Sequence, residues 1–306
     1  MSTVAERALR AEAKARPRVR PRARRRRVRR FVRRLPFYAL IALIFFYAVF
    51  PFYWAIRSAF TPEGDLFRTP VQYVPTDPTL ANFREVLSTG EFQRALLNST
   101  IVAGTVTLVA LAIGSLAGYA LGRFRFHGRS ATLYLMLSMT TFPQIAILGA
   151  LYTTINRFEL YDRLGALIFS YMIFTLPFTV WVLTSFMRAL PRDLEEAAYV
   201  DGASPLQTFY RVMLPLVAPG LVTAGLLAFI AAWNEFLYAL SFTQSTDKRT
   251  VPVAITLFTG KSGSTYQIPW GQIMAATVIV TLPLIVATLV LQRRILAGLT
   301  AGAVKG

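Results

Sequence analysis

Six long uncharged stretches dominate the pattern of hydrophobic and polar positions along the chain. Each exceeds the roughly 20 residues that an α-helix needs to cross about 30 Å of hydrocarbon. Buried helices of a soluble protein would instead show shorter apolar runs with charged faces. No Asp, Glu, Lys or Arg occurs in residues 35–56, 95–122, 130–156, 164–187, 212–234 and 262–292. The pattern predicts an all-α integral membrane protein with six transmembrane helices, at about residues 36–57, 97–121, 131–155, 166–187, 216–242 and 272–291.

Composition agrees with this pattern. The chain of 306 residues is 55% hydrophobic and 16% charged, whereas a soluble domain carries roughly 25% charged residues. The first apolar stretch is too long for a signal peptide and has no small-residue cleavage site, so we expect it to be retained as a helix. Cysteine is absent, which excludes disulfides and thiolate metal sites.

The distribution of basic residues predicts the orientation in the membrane. Of 33 Lys and Arg, 15 lie in residues 1–34, three in 123–129, three in 188–211 and three in 293–305. If the helices alternate in direction, these 24 basic residues fall on one side of the membrane. The remaining nine Lys and Arg fall on the opposite side. Because Lys and Arg accumulate in cytoplasmic loops, we expect a multi-pass protein of the bacterial inner membrane with both termini in the cytoplasm.

Residues 1–34 differ from the rest of the chain. Their arginine- and proline-rich sequence predicts a disordered cytoplasmic arm, and residues 35–306 form the six-helix transmembrane domain. A dense basic run in a soluble protein indicates nucleic-acid binding. Beside a membrane helix, attraction to anionic lipid of about 1 kcal/mol per residue is sufficient. We therefore expect the arm to contact membrane lipid and expect no nucleic-acid partner; a DNA-binding arm is the alternative.

Two features within the spans predict how the helices pack. Pro143, in the polar sequence TTFPQ, predicts a kink in the third span. Gly114 and Gly118, four residues apart, allow another helix to approach closely. That helix could belong to this chain or to another subunit, and ordinary membrane-helix composition explains the two glycines equally well.

Residues 188–215 link the fourth and fifth spans, yet they predict two separately capped helices. Asp193 and Glu196 give the D-x-x-E pattern of a helix start, and Gly202 supplies the backbone freedom that ends this helix. Ser204 and Gln207 then predict a capping box, with Pro205 at the first helical position. An apolar stripe follows and ends before Pro215; it comprises Leu206, Phe209, Tyr210, Met213 and Leu214. The acids of this loop disfavour contact with anionic lipid, so a protein groove is the expected partner.

The spacing within this loop resembles a known motif. Glu196-Ala197-Ala198, three residues, Gly202, nine residues, then Val212-x-Leu214-Pro215 is similar to EAA-x3-G-x9-I-x-LP of ATP-binding-cassette (ABC) importer permeases, with Val212 in place of Ile. The resemblance implies a type I importer permease fold in which this loop is a coupling helix that docks into a cytoplasmic ATPase. The residues implied in that contact are Glu196, Ala197, Ala198, Gly202, Leu214 and Pro215.

A narrower resemblance covers residues 35–306. The sequences at 81–103, 229–240 and 292–306 are similar to the second permease subunit of maltose and trehalose importers. This implies import of a sugar, such as one of those disaccharides, by alternating access. It implies four kinds of partner: a homologous permease subunit, two ABC ATPase subunits that use ATP and Mg²⁺, an extracytoplasmic sugar-binding protein, and the sugar. It also implies that the tail contacts the ATPases, through Gly298, Leu299 and Gly302.

The translocation pathway has few candidate residues. Glu235 is the only acid within or beside a span, and such a residue is a functional candidate. It follows Trp233 and Asn234, and an aromatic ring beside polar groups suits a sugar. The alternative is that Trp233 anchors the membrane interface and Asn234–Glu235 bond a neighbouring helix. Gln144 is a further candidate, and Asn98 is expected to cap a helix or to bond another one.

The chain shows no energy source of its own. Gly260-Lys261-Ser262 is the nearest match to a phosphate-binding loop, but Ile255 stands where that loop requires glycine. His127, the single histidine, cannot form a catalytic or metal site alone. We therefore expect a transport subunit without catalytic residues, metal or bound cofactor. An importer of glycerol phosphate or of an oligosaccharide is the nearest alternative, and an ion-coupled secondary transporter a more distant one.

Overall fold

A computed structural model describes residues 21–258 and 268–303, with side chains at 34–258 and 268–292. The described residues form helices joined by turns, with no β-strand among them. The α-helices are α1 (Pro21–Ala59), α2 (Ala81–Ser88), α3 (Gly90–Arg123), α4 (Arg129–Thr140), α5 (Leu148–Arg157), α6 (Leu164–Ala189), α7 (Asp193–Val200), α8 (Pro205–Thr208), α9 (Leu214–Leu216), α10 (Ala218–Trp233), α11 (Leu237–Phe242), α12 (Val251–Thr256) and α13 (Trp270–Ala303).

The chain divides into two units, residues 1–54 and residues 55–306. The first unit contains most of α1, which begins at Pro21. Residues 21–34 are therefore helical where the sequence predicted disorder, and the rest of the predicted arm, residues 1–20, lies outside the described residues. Arginine is among the better helix formers, and proline at the first position of a helix loses no hydrogen bond. Both properties favour continuing the helix beyond the membrane span.

Four helices of the described chain are long and apolar enough to cross a membrane, and two bent pairs of helices bring the number to the predicted six if each pair is one span. Four are unbroken: Arg34–Ala59, Gly90–Arg123, Leu164–Ala189 and Trp270–Gln292. The other two are pairs of helices that meet at a sharp bend. Arg129–Thr140 and Gln144–Arg157 meet at 96°, and Pro205–Leu216 and Ala218–Trp233 meet at 76°. The fifth span, predicted at 216–242, is therefore not one helix: α10 ends at Trp233, and α11 begins at Leu237.

The third span is broken where the sequence predicted only a kink. α4 ends at Thr140, and Pro143 has extended backbone dihedral angles of φ −61° and ψ 121°. A 3-10 turn, Gln144–Ile147, then leads into α5. Proline lacks an N–H group and disfavours a helical conformation in the residue before it, so the helix ends here. The sequence therefore indicated the position of the bend but not its size.

Within the second unit, α3 and α6 form the most extensive helix pair. Their contact runs along glycines of α3 spaced four residues apart. A Cβ atom added at Gly118 would lie 3.1 Å from the backbone nitrogen of Thr184, and one at Gly122 would lie 2.7 Å from Cβ of Met187. Larger residues would force the helices apart. The predicted close approach is confirmed, and the partner helix belongs to the same chain.

At the end of the helices remote from residues 188–217, loop contacts join distant segments. Asp162 accepts the backbone N–H groups of Gln244 (2.8 Å) and Ser245 (3.0 Å), and the hydroxyl of Ser245. Desolvation acts to raise the pKa of Asp162, but these hydrogen bonds outweigh it and hold the pKa below its usual value. Asn98 donates to the carbonyl oxygens of Asp247 (2.8 Å) and Arg249 (3.0 Å). It thus bonds another segment, one of its two predicted roles.

Candidate functional site

The loop between α6 and α10 contains the helix–glycine–helix element that the sequence predicted. α7 ends at Val200, and Gly202 follows two residues later with a φ of +81°, in the left-handed region that other residues rarely adopt. The hydroxyl of Ser204 accepts the N–H of Gln207 (3.3 Å), and the Gln207 side chain accepts the N–H of Ser204 (2.8 Å). The capping box is therefore confirmed, with Pro205 at the first position of α8.

The beginning of α7 differs from the prediction. Arg192 occupies the N-cap position with helical dihedral angles, so Asp193 is the first residue of the helix and not its cap. The helical hydrogen bonds start one residue early, because the carbonyl of Arg192 accepts the N–H groups of Glu195 (2.9 Å) and Glu196 (3.2 Å). The acids of this first turn still stabilise the positive end of the helix dipole.

The second half of the loop is less regular than predicted. Residues Phe209–Met213 form a π-helical turn between α8 and α9. Pro215 follows, and it offers no N–H for an α-helical hydrogen bond. The wider π-helical turn divides the predicted apolar stripe. Two of its residues, Leu206 (62%) and Tyr210 (45%), are exposed. The residues of the stripe that pack into the core are Phe209, Met213 and Leu214. Pro215 does not end the helix, which continues to Leu216.

Glu195 points into the protein and ties this loop to two transmembrane helices. Its Oε2 accepts Nε of Arg123, the last residue of α3, at 2.7 Å, and the two side chains are only 11% and 4% exposed. The Arg123 guanidinium also donates to three carbonyl oxygens where α6 ends and the loop begins, those of Met187 (3.2 Å), Leu190 (2.8 Å) and Pro191 (3.0 Å). One buried side chain therefore joins α3, α6 and α7.

Sequence reasoning missed this contact. Arg123 and Glu195 are 72 residues apart, and the motif directs attention to Glu196 instead. A weak signal was available, since an arginine directly follows a long apolar run and an acid directly precedes the motif. Neither residue type by itself indicates a partner.

Other residues of the motif face outward. Glu196, Ala197 and Gly202 are exposed, whereas Ala198 is 8% exposed. Glu195 and Ala198, three residues apart, thus form the inner face of α7. The outer surface of the two helices also displays Val200, which is 87% exposed. Small and apolar residues on a preformed helix pair are suited to a groove on another protein.

The structure buries Trp233 within the helix bundle and leaves the next candidate, Asn234, exposed. Trp233 is 4% exposed and stacks on Phe229 at 5.4 Å between ring centroids. The proposed alternative role of Trp233, anchoring at the membrane interface, is therefore wrong, because its ring is packed in the core. Asn234 donates from Nδ2 to the carbonyl oxygen of Ile230 (2.9 Å) in its own helix.

Glu235 lies at the break between α10 and α11 and caps α11. Its carboxylate accepts the N–H groups of Tyr238 (2.8 Å) and Ala239 (3.1 Å). Glu235 therefore bonds the helix that follows it in the chain. This resembles the structural role that the sequence offered as its alternative, a bond to a neighbouring helix. The Tyr238 hydroxyl donates to the carbonyl oxygen of Gln144 (3.2 Å), so the broken third span lies beside this segment. The Gln144 side chain itself is exposed.

Several predictions lie at or beyond the edge of the described residues. Gly298, Leu299 and Gly302 fall on α13, which continues to Ala303 past the predicted end of the span at 291. Their side chains are not among those described, so an ATPase contact stays a prediction. Gly260-Lys261-Ser262 lies outside the described residues. Across residues 21–258 and 268–303, no group of three or more His, Asp or Glu is placed to hold a metal ion.

Comparison with known proteins identifies the class to which this bundle and loop belong. Residues 110–300 match the family described as "Binding-protein-dependent transport system inner membrane component". The chain belongs to this family, whose members are membrane permease subunits of ABC transporters. The predicted permease fold is confirmed by the crystal structure of a bacterial ABC transporter involved in the import of alginate. That structure aligns with a TM-score of 0.73 and 19% identity, over 87% of this chain and 96% of the matched chain.

Two relatives are similar over nearly their whole lengths. The chain is 44% identical to the "Trehalose/maltose transport system permease protein MalG" of Thermococcus litoralis, over 87% of this chain and 94% of that protein. It is 39% identical to the "Trehalose transport system permease protein SugB" of Mycobacterium tuberculosis, over 89% of this chain and 98% of that protein. The predicted resemblance to permeases of this type is therefore confirmed.

Replacing Glu235 with glutamine is expected to lower stability and leave solute recognition unchanged. Glutamine keeps one acceptor oxygen for the N–H groups of α11 but loses the charge, so we expect a loss of about 0.5–2 kcal/mol. The measurements are the thermal unfolding midpoint of the purified complex and the KM of uptake. Glu91→Gln, at an exposed acid in the first turn of α3, is the control. A raised KM at an unchanged midpoint would place Glu235 in the path of the solute.

Proposed function

We propose that this protein is one membrane-spanning permease subunit of an ABC importer for a sugar, specifically a disaccharide such as trehalose or maltose. The observation that carries the proposal is the loop of residues 188–215, two short helices that are displayed outward and fixed to α3 and α6 through Arg123. The names of the two relatives support the choice of sugar, since both include trehalose. No specific observation favours glycerol phosphate, an oligosaccharide or an ion-coupled mechanism.

The proposed assembly contains four kinds of partner. A homologous permease completes the membrane pathway, two cytoplasmic ATPase subunits bind ATP and Mg²⁺, and an extracytoplasmic binding protein delivers the sugar. This chain contributes no ATPase site of its own. The concentration of basic residues at the ends of the spans that carry the loop supports a cytoplasmic position for the loop and for both termini.

In the proposed mechanism, the loop transmits ATPase closure to the spans. Glu196, Ala197 and Gly202 form the docking surface, Ala198 packs beneath it on the inner face of α7, and Leu214 and Pro215 lie at its junction with the bundle. A bound partner shifts a conformational equilibrium only through a difference in affinity between two states. Because Arg123 joins the loop to α3 and α6, a movement imposed on α7 displaces both helices together. The tail, through Gly298, Leu299 and Gly302, is proposed as a second contact with the ATPases.

The docking role of the loop is tested by replacing Gly202 with aspartate. The new side chain would be strained by the left-handed backbone, at about 1–2 kcal/mol, and would place a charge on the docking surface. We expect an ATP-binding-cassette ATPase to co-purify from native membranes with the tagged wild-type chain and to be lost from the variant.

Gly128→Asp is the matched control for this experiment. Gly128 has a φ of +86°, and like Gly202 it has open space around its missing Cβ. It lies in the loop between α3 and α4, so the variant carries the same strain and charge outside the docking surface and should retain the ATPase. Equal loss from both variants would exclude a specific docking role. If no ATPase accompanies the wild-type chain, the importer proposal fails.

A further inference from the structure

A groove of about 200 Å³ lies between α4 and α6, at the ends of these helices that adjoin Arg123 and the loop between α6 and α10. Its lining changes from polar to apolar along the helix axes. Ser130, Ser185 and Arg188 line it where α4 begins and α6 ends, and Leu133, Leu137 and Trp181 line it farther along. Ser130 and Leu137 are seven residues apart, which is about 10 Å along a helix. The groove therefore has a charged, hydroxyl-rich mouth and an apolar floor.

The mouth of the groove lies in a strongly positive region. Arg129 is subject to the charges of Arg125, Arg188 and Arg192, and a second concavity, lined by Arg125 and Arg129, shares Ser130 with the groove. No acidic residue lines either concavity. Among the side chains described, the ion pair at this end of the bundle is the one between Arg123 and Glu195, and neither of these residues lines the groove.

Hydrogen bonds from these arginines to the end of α3 account for only part of the positive charge at the mouth. Arg129 donates to the carbonyl oxygens of Leu121 (2.6 Å) and Gly122 (2.9 Å) at the end of α3. Arg188 donates to Leu121 at 3.4 Å, a weak contact. The end of a helix carries about half a negative charge, which does not neutralise four arginines. Arg188 therefore retains guanidinium N–H groups for an anion at the mouth.

We propose that this groove binds the headgroup of an anionic phospholipid, with one acyl chain along its apolar floor. Guanidinium and hydroxyl groups are strong donors to phosphate oxygens, and basic pockets between spans at the membrane surface suit anionic headgroups. Tyr134 and Trp181 are 73% and 40% exposed, as expected for aromatic side chains at the level of the headgroups. A soluble phosphate compound would use the mouth alone and would leave the apolar floor uncovered.

The test measures phospholipid retained by the detergent-purified transporter, as the ratio of phosphatidylglycerol to phosphatidylcholine after exposure to an equimolar mixture. Arg188→Gln is expected to lower this ratio about fivefold, the effect of one arginine near a membrane surface. Ser185→Leu fills the groove without changing the charge, and it is expected to lower the ratio similarly. Arg157→Gln removes one charge at the opposite end of the third span and should leave the ratio unchanged.

The arm of residues 1–34 is present in every variant, so any general attraction to anionic lipid cancels in the comparison. Equal effects of Arg188→Gln and Arg157→Gln, or no effect of Ser185→Leu, would overturn the proposal. Displacement of the lipid by millimolar glycerol phosphate would also overturn it, in favour of a site for soluble anions. Because the readout is lipid binding and not uptake, the result is independent of the proposed transport function.

Discussion

Replacing Arg123 with glutamine is expected to disable the transporter more severely than replacing any exposed arginine at the same end of the helix bundle. The change breaks the bond to Glu195 and three bonds to carbonyl oxygens, and it leaves the Glu195 carboxylate buried without its counter-charge. Removing one partner of a buried pair costs about 3–5 kcal/mol. We expect a large fall in the unfolding midpoint of the complex, and loss of sugar uptake per ATP hydrolysed in the fraction that still assembles.

Two further variants separate the ion pair from general damage. In the double variant Arg123→Gln/Glu195→Gln no charge is left buried, so it should be more stable than Arg123→Gln alone. Arg125→Gln changes an exposed arginine two residues away and should have little effect, as surface charges usually do. Strictly additive losses in the double variant, or an equal loss from Arg125→Gln, would show that the pair does not hold the loop in place.

The second large effect is expected at the glycines of α3. Gly122→Ala would place a methyl group 2.7 Å from Cβ of Met187, an atom that cannot move without the backbone of α6. Overpacking of this kind costs about 1–3 kcal/mol, against a gain of up to about 1 kcal/mol in helix propensity. We expect net destabilisation and partial separation of α3 from α6, measured as a lower unfolding midpoint and faster proteolysis of the loop.

Gly104→Ala is the matched control on the same helix. Nothing lies within 4 Å of a Cβ atom at Gly104, so only the gain in propensity applies and the variant should be as stable as the wild type or more so. If both variants change stability in the same direction, helix propensity and not the close contact with α6 governs this part of α3.

Features determined by neighbouring residues could be predicted from the sequence. The spans follow from uncharged length, and the capping box follows from Ser204 and Gln207, which are three residues apart and bond each other in any helix start. Gly202 was predictable for the same reason, because the turn it makes is local. The same local logic failed at Asp193, where the carbonyl of Arg192 already accepts helical hydrogen bonds and makes Asp193 the first residue of the helix.

Features determined by distant residues could not be predicted in this way. The pairing of Arg123 with Glu195 depends on how α3 and α6 pack, and the motif alone does not distinguish the buried Glu195 from the exposed Glu196. The π-helical turn that redirects Phe209 and Met213 into the core likewise depends on the bundle beneath it. Trp233 was misjudged because a tryptophan at the end of an apolar run is common both at interfaces and in cores.

The break at Pro143 also determines which surroundings the third span can tolerate. It falls between Thr140 and Gln144, about halfway along the chain from Arg129 to Arg157, so if these helices form one span the peptide groups that leave the helix lie near the middle of the bilayer. Each such group would cost several kcal/mol if it faced lipid tails. The break itself must therefore face water or another polypeptide, which restricts how the chain can be rotated about the membrane normal within its complex. The groove at the beginning of α4 lies at the membrane surface, away from the break, and can still face lipid.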